Sequence, residues 1–344
     1  MPSAPRGRDL ALLVLFVGLA HTFTLAQKNH PESYSEAATL FAEQQTSFPS
    51  ERSQVSAVLC LPSSRNEKVP AIVLVRAAGP EEADESALAG SVFAELAHGL
   101  ARVGIASLRY VPPAYSFSRT PDPKQLPLDQ QVVNPAVAAL TYLSGVRDLD
   151  PSAVFVLGHG VGGTMAPYIA ARYGQARGVI LMAAAALPIE KALANQKKLE
   201  LEKQGMSDQQ VSDILAAQNQ TFADIRSGKM PPARLYEGAT VAYWRDRMNR
   251  DPARKAKTLS VPVLVLQGAN DKVYEADYER LRLLLGKKEG GIAQFRLFPN
   301  LNHMFTSSKG TQSASSEPSH VDPEVIRVIA SWMKSEIIAT SRSR

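Results

Sequence analysis

The sequence is short of the residues that build disulfides, nucleic-acid surfaces and metal sites. Its 344 residues include one cysteine, Cys60, so an internal disulfide is excluded. The formal net charge of +5 is spread along the chain without a dense basic run, so nucleic acid is not expected as a partner. No group of His, Cys and Glu residues has metal-ligand spacing, and neither a metal nor another cofactor is expected. An apolar content of 45% is typical of a globular protein with a substantial core.

A short apolar run near the N-terminus predicts export. Arg6 and Arg8 precede the run at residues 10–20, which is too short to span a membrane. Small residues follow, so we expect a signal peptide at residues 1–26 that is cleaved after Ala26. The mature protein is therefore expected to be secreted or periplasmic, without membrane association after cleavage.

Strands and helices alternate along most of the chain. This alternation predicts a mostly parallel central sheet flanked by helices, and Ser53–Leu61 alternates like an antiparallel edge strand. The strands of this sheet are expected at 71–75, 105–110, 153–157, 178–182, 262–267 and 293–298, and those at 71–75 and 153–157 are expected to be buried. Residues 187–258 interrupt the alternation with helical periodicity, and we interpret them as a helical cap. The cap would be inserted between two core segments, residues 27–186 and 259–344.

The turn after the strand at 153–157 carries the most informative motif. Gly158-His159-Gly160-Val161-Gly162 has both glycines of the Gly-x-Ser-x-Gly nucleophile elbow, with Gly160 where the serine would stand. A dinucleotide-binding fingerprint is an alternative. It requires an acidic residue after the next strand, but residues 183–186, which follow the strand at 178–182, contain no carboxylate. In a third interpretation, the glycines only let strand and helix pack closely.

An aspartate and a histidine follow two later strands in the order of a hydrolase triad. Asp271 stands in the turn after the strand at 262–267, and His303 follows the last strand. An aspartate in such a position can be a simple turn residue, and a lone loop histidine can be a solvated side chain. Their joint occurrence after the elbow favours a catalytic origin.

These motifs together resemble the secreted bacterial α/β-hydrolases near the dienelactone-hydrolase and prolyl-oligopeptidase-like groups, over about residues 55–332. The family's Gln-Gly-x-x-Asp and Leu-Asn-His-x-Phe motifs stand intact around Asp271 and His303. The resemblance implies an α/β-hydrolase fold with a helical cap insertion. It also implies that Asp271 and His303 are the acid and base of a vestigial triad, with Gly160 at the nucleophile position.

The resemblance further implies an oxyanion hole made of two backbone amides. One amide would come from Val161, and the other from the turn that begins at Arg76, near Ala77 and Ala78. In this turn the family's histidine, first glycine and serine are all replaced.

Without the serine, His303 and Asp271 lack the group that they activate, so serine-dependent catalysis is not expected. We therefore expect a pseudohydrolase that binds a small acyl or peptide-like ligand, or a protein partner. The alternative is an ester or peptide hydrolase that uses a surrogate nucleophile, such as Ser116 or Ser118, or a water activated by His303. A structural role is a third hypothesis.

Overall fold

The computed structural model describes residues 40–51, 53–63, 67–76, 86–111, 126–286, 293–307 and 320–341, all within one unit at residues 39–344. The predicted signal peptide, Ala77, Ala78, Ser116 and Ser118 lie outside the described residues. Within the described ranges, no helix is both long and apolar enough to cross a membrane.

Eight described strands form one sheet in the order β1-β2-β4-β3-β5-β6-β9-β10. β1 and β2 are antiparallel to their neighbours, and the pairs from β4 to β10 are parallel. The mostly parallel sheet confirms the predicted fold class. The strands are β1 (Phe41–Ser50), β2 (Ser53–Pro62), β3 (Val69–Val75), β4 (Ala106–Tyr110), β5 (Leu149–His159), β6 (Val179–Met182), β9 (Val263–Gly268) and β10 (Ala293–Phe298).

The prediction that Ser53–Leu61 is an edge strand was wrong. β1 pairs with the outer side of β2 along its whole length, from Phe41 opposite Pro62 to Ser50 opposite Ser53. The sequence of β1 hides this strand because most of its side chains are polar and exposed. Its apolar anchors are far apart, with Phe48 buried at one end and Phe41 stacked on His98 at the other.

Helices cover both faces of the sheet. One face packs against α1 (Ser86–Arg102) and α9 (Pro323–Ser341). The other face packs against α2, α3 and α8. These three helices are α2 (Asn134–Ser144), which continues a π-helical turn at Asp129–Val133, α3 (Val161–Tyr173) and α8 (Glu275–Leu285). Because both faces are covered, β3, β5, β6 and β9 are almost wholly buried, as continuous apolar strands should be.

The segment between β6 and β9 is mainly helical, as its periodicity predicts. It contains α4 (Ile189–Lys203), α5 (Asp208–Arg226), the strand pair β7 (Leu235–Tyr236) and β8 (Ala239–Thr240), α6 (Val241–Met248) and α7 (Pro252–Lys257). Ser207 and Gln210 have the sequence spacing of a capping box, and the box is present at the start of α5, where the two side chains bond each other's backbone N–H groups. That this segment is a cap remains a prediction.

A buried carboxylate fixes the point where this segment leaves the sheet. Asp277 on α8 is fully buried, and its Oδ1 accepts hydrogen bonds from the backbone N–H groups of Ala186 and Leu187, each at 2.5 Å. Burial raises the pKa of Asp277 to about 6, and the charge of Asp271 adds to the rise. The Asp277 carboxyl group therefore connects the residues after β6 to α8, and its ionisation is unfavourable in this buried position.

Two glycines let the start of α3 lie directly against the sheet. A Cβ on Gly162 would lie 2.2 Å from the carbonyl oxygen of Val75 at the end of β3. A Cβ on Gly158 would lie 2.1 Å from the carbonyl oxygen of Gly162. Both contacts are with backbone oxygens, so no side-chain rotation could make room for a Cβ at either position.

We expect Gly162→Ala to lower the free energy of unfolding by more than about 2 kcal/mol, because the new methyl group forces α3 away from β3. Gly145→Ala is the matched control, since the nearest atom to its Cβ is 3.5 Å away and its φ is −91°. Urea unfolding of both variants measures the difference. Equal stability of the two variants would contradict the close approach.

We expect Asp277→Asn to change the pH dependence of stability. The native pKa of about 6 exceeds the ordinary 3.8, so protonation of Asp277 favours the folded state, and this contribution is lost as pH rises through 6. Asparagine keeps an acceptor oxygen but does not titrate. The stability of the variant relative to the parent should therefore rise by about 2 kcal/mol between pH 4.5 and pH 7.5.

Urea unfolding at the two pH values measures this change. Asp213→Asn, at an exposed position on α5, is the control and should show no such trend. A relative stability of Asp277→Asn that stays constant with pH would show that Asp277 is already ionised in the folded protein at pH 4.5.

Candidate active site

The predicted site residues follow three strands of the sheet. Gly160 follows β5, Asp271 follows β9 and His303 follows β10. These strands are parallel, so their carboxyl ends lie along the same edge. This is the edge at which sheets of this type carry their ligand sites.

The structure brings Asp271 and His303 into direct contact. His303 Nδ1 lies 2.7 Å from Asp271 Oδ2, and the two side chains are 15% and 3% exposed. The same carboxylate oxygen accepts a hydrogen bond from Gln267 Nε2 at 3.1 Å. A carboxylate can only accept, so His303 donates from Nδ1 and keeps Nε2 as its basic nitrogen. This is the arrangement that a general base requires.

Close backbone contacts hold the two loops together. A Cβ on Gly268 would lie 2.5 Å from the carbonyl oxygens of Leu301 and Asn302, so only glycine permits this approach. Asn270 N–H donates to the Leu301 carbonyl at 3.0 Å. The Asn302 side chain accepts from the backbone N–H groups of Met304 and Thr306 and so forms the tight turn that presents His303.

Two further residues position His303, and neither was singled out from the sequence. His159 Nε2 donates to the carbonyl oxygen of His303 at 3.0 Å. Burial, and then the nearby His303, lower the pKa of His159 to about 3, so this imidazole stays neutral. Tyr274 stacks on the His303 ring with centroids 5.0 Å apart. His159 lies inside the elbow motif, which was a usable signal, whereas nothing in the sequence marks Tyr274.

Gly160 occupies the sharp turn between β5 and α3 with φ 55° and ψ −121°. This positive φ is strained for any residue with a side chain, as in a nucleophile elbow. The Gly160 N–H donates to the Met182 carbonyl at 3.0 Å, which ties the turn to β6. Val161, the predicted oxyanion donor, is the first residue of α3 and is buried.

Two other side chains among the described residues, Thr164 and Cys60, could in principle act as a nucleophile, but the structure places neither of them to do so. The Thr164 hydroxyl is buried and lies at hydrogen-bond distance from the carbonyl oxygens of Gly160 and Ala185. Cys60 is buried in β2, which is separated from β5 by β4 and β3, and burial raises its pKa to about 11. In the part of the chain that the structure describes, no cluster of three or more His, Cys, Asp or Glu residues could hold a metal ion.

Comparison with known proteins gives one family and a consistent fold. Residues 130–309 match the Hydrolase_4 family, described as serine aminopeptidase, S33. The chain is 34% identical to Esterase EstD of Thermotoga maritima over 268 residues, which are 77% of this chain and 62% of that protein. It thus spans less than two thirds of this relative's length.

Solved esterase structures share the fold at low sequence identity. Est1E from Butyrivibrio proteoclasticus, with ferulic acid bound, has a TM-score of 0.56 at 14% identity, covering 85% of this chain and 99% of that one. The Pyrobaculum calidifontis esterase has a TM-score of 0.52 at 16% identity, covering 86% and 85%. At these identities the similarity shows the fold alone.

The family match covers more than half of the chain, and the sheet order and the loops that carry Asp271 and His303 agree with it. The dinucleotide-binding interpretation of the glycine-rich turn is therefore set aside. This chain belongs to the serine aminopeptidase S33 family of α/β-hydrolases, within an esterase-like group.

Proposed function

We propose that this protein is an exported pseudohydrolase, which binds a small acyl-type ligand at the carboxyl edge of its sheet without serine chemistry. One observation carries the proposal. The turn between β5 and α3 keeps the positive-φ backbone of a nucleophile elbow, yet Gly160 supplies no hydroxyl group there.

The expected size of the effect on turnover favours a loss of catalysis over a modest decrease in rate. Removing the serine of a serine hydrolase lowers turnover by about 10⁶, because histidine and aspartate cannot replace the covalent step. The same substitution relieves about 1–3 kcal/mol of backbone strain at a positive φ. Glycine at this turn therefore removes the catalytic nucleophile and stabilises the backbone of the turn.

The relatives support an acyl-type ligand. The curated relative is named an esterase, and one solved structure of this fold contains ferulic acid. Esters and their acid products share an acyl group, so a retained pocket would accept molecules of this class. Export is supported by the N-terminal sequence pattern.

Hydrolysis by a water that His303 activates is the second candidate. The intact contact between His303 Nδ1 and Asp271 Oδ2 favours it, since this contact prepares Nε2 to accept a proton from water. Such an enzyme would act on activated esters and would lose its activity in His303→Ala.

We expect the parent protein to hydrolyse short-chain nitrophenyl esters no faster than the uncatalysed rate. Gly160→Ser should exceed that rate at least about 100-fold, which is a fraction of what a serine nucleophile contributes. The gain should arise because Asp271 and His303 are already in place. Gly145→Ser, at the end of α2, is the matched control and should stay inactive. Turnover by the parent that disappears in His303→Ala would overturn the pseudohydrolase proposal and favour the second candidate.

We expect Asp271→Asn, introduced into Gly160→Ser, to return turnover to the level of the parent. An asparagine that donates its amide hydrogen to His303 Nδ1 would favour the wrong tautomer, and the corresponding change in a serine protease lowers turnover by about 10⁴. Initial rates on the same esters measure the effect, with Asp213→Asn in the same background as the control. Undiminished turnover would remove Asp271 from the proposed apparatus.

A further inference from the structure

A cleft separates the helical hairpin α4–α5 from the start of α8. Its volume is about 330 Å³, and it opens beside the loop that follows Asp271. The wall on α4 consists of residues at the spacing of one helix face, including Lys198, Leu199 and Glu202. The opposite wall includes Lys272, Glu275 and Glu279. The cleft therefore lies between the predicted cap and the segment that carries Asp271.

Only one end of the hairpin belongs to the main core. Four buried residues at this base, two on each helix, join the core on the α3 face of the sheet: Ile189, Ala192, Phe222 and Ile225. At the far end Leu201 and Val211 are also buried, but within the described residues they belong to neither core cluster. The two helices pack along each other. The far end of the hairpin is thus held by its own contacts, so it can move without opening the main core.

The base of the hairpin supplies the pivot for such a movement. Both connections to the rest of the chain lie there, because the helices are antiparallel and α5 ends beside the start of α4, where Arg226 pairs with Glu190. Asp277 fixes the residues before α4. Gly228 follows α5 with φ 81°, a conformation that glycine adopts without a steric penalty. Hinges of this kind consist of a few residues at the ends of elements.

The two walls of the cleft carry complementary charges that are paired within each wall. Lys198 Nζ lies 3.7 Å from Glu202 Oε1 on α4, and Lys272 Nζ lies 3.4 Å from Glu275 Oε2 on the opposite wall. All four side chains are exposed, and no ion pair among the described residues crosses the cleft. Exposed pairs contribute little to stability, so an exchange of partners between the walls has a small cost.

We propose that the hairpin α4–α5 is a lid that closes this cleft, with Lys198 exchanging Glu202 for Glu275 while Glu202 pairs with Lys272. Two ion pairs within the walls then become two ion pairs between them. Closure also buries the apolar lining residues Leu199 and Val273 against each other, which favours the closed state.

The lid would act beside the candidate active site. The loop that forms one wall of the cleft also carries Tyr274, which stacks on His303. Closure would therefore limit access to the side of the site at which His303 and Asp271 meet. This role at the site rests on the proposed function, whereas the movement of the hairpin does not.

The test is zero-length carbodiimide cross-linking of the full chain, followed by peptide mass spectrometry. The reagent joins a lysine amine to a carboxylate only when the two groups are in contact. We expect cross-links between Lys198 and Glu275 and between Lys272 and Glu202. Cross-links within the walls, such as Lys198 to Glu202, serve as the internal control. Their presence without any cross-link between the walls would overturn the proposal.

Removing one partner within the α4 wall should favour the pair across the cleft. We expect Glu202→Gln to raise the yield of the cross-link between Lys198 and Glu275 about 3-fold, as the loss of one exposed ion pair predicts. Glu200→Gln is the matched control, because Glu200 pairs with Lys197 on another face of α4 and should leave this yield unchanged. Equal yields in the two variants would overturn the exchange of partners.

A disulfide distinguishes movement of the helix from movement of long side chains. Leu199→Cys and Ala276→Cys place short side chains on opposite walls, and a disulfide requires their Cα atoms to approach within about 7 Å. The native Cys60 is buried. We expect this pair to oxidise readily, whereas Gln196→Cys with Ala276→Cys is the control and should stay reduced, since Gln196 lines a different cavity. Cross-links without the disulfide would overturn the lid.

The same cysteine pair tests the role of the lid at the site. In the Gly160→Ser background, oxidation of the pair should lower turnover of nitrophenyl esters at least about 10-fold, and reduction should restore it, because a locked lid blocks exchange of the ester. Unchanged turnover after oxidation would overturn the gating role. Inactivity of Gly160→Ser itself would count against the proposed function, while the cross-links and the disulfide would still decide whether the hairpin closes.

Discussion

The site depends on a backbone contact that leaves no space for a side chain. The first turn of α3 lies against the last carbonyl of β3, so close that a Cβ on Gly162 would overlap the Val75 oxygen. This contact directs the start of α3 at the sheet edge and forces the chain through the turn at Gly160 with a positive φ. Interiors packed at this density have little room to adjust, so this contact constrains the backbone of the turn.

The contact between Asp271 and His303 is supported by interactions that also hold the fold together. Gly268 brings the loop after β9 against the loop after β10, and the Asn302 side chain closes the turn before His303. His159 connects that turn to the end of β5. Because these interactions stabilise three loops at once, they would persist after a loss of catalysis. An intact acid–histidine pair is therefore compatible with a pseudohydrolase and does not by itself indicate turnover.

Electrostatics connects this site to the helical segment between β6 and β9. Asp277 anchors the residues at which the segment begins, and the charge of Asp271 contributes to its raised pKa. At the other end of the segment, Arg280 of α8 pairs with Asp251, whose backbone N–H donates to the Tyr168 hydroxyl on α3. Both ends of the segment are thus fixed to helices that pack on the face of the sheet beside the site.

The sequence by itself determined the fold class and the order of the site residues. Continuous apolar runs mark buried strands such as β5 and β9, helical spacing marks the segment between β6 and β9, and the capping box marks the start of α5. These features are local, since each is written in a few consecutive residues. The order of Gly160, Asp271 and His303 along the chain then placed them at one sheet edge, because parallel strands end on the same side.

Only the tertiary structure decided which residues support that site and which side chains share a cavity. β1 has few apolar residues and is a strand because β2 and α1 pack against it. His159 meets His303 across 144 residues of chain, and Asp277 meets Ala186 across 91. Arg76 and Arg109 share a cavity because β3 and β4 are neighbours in the sheet. The physical reason is common to all of these: burial and charge pairing depend on distances in space, which periodicity along the chain does not record.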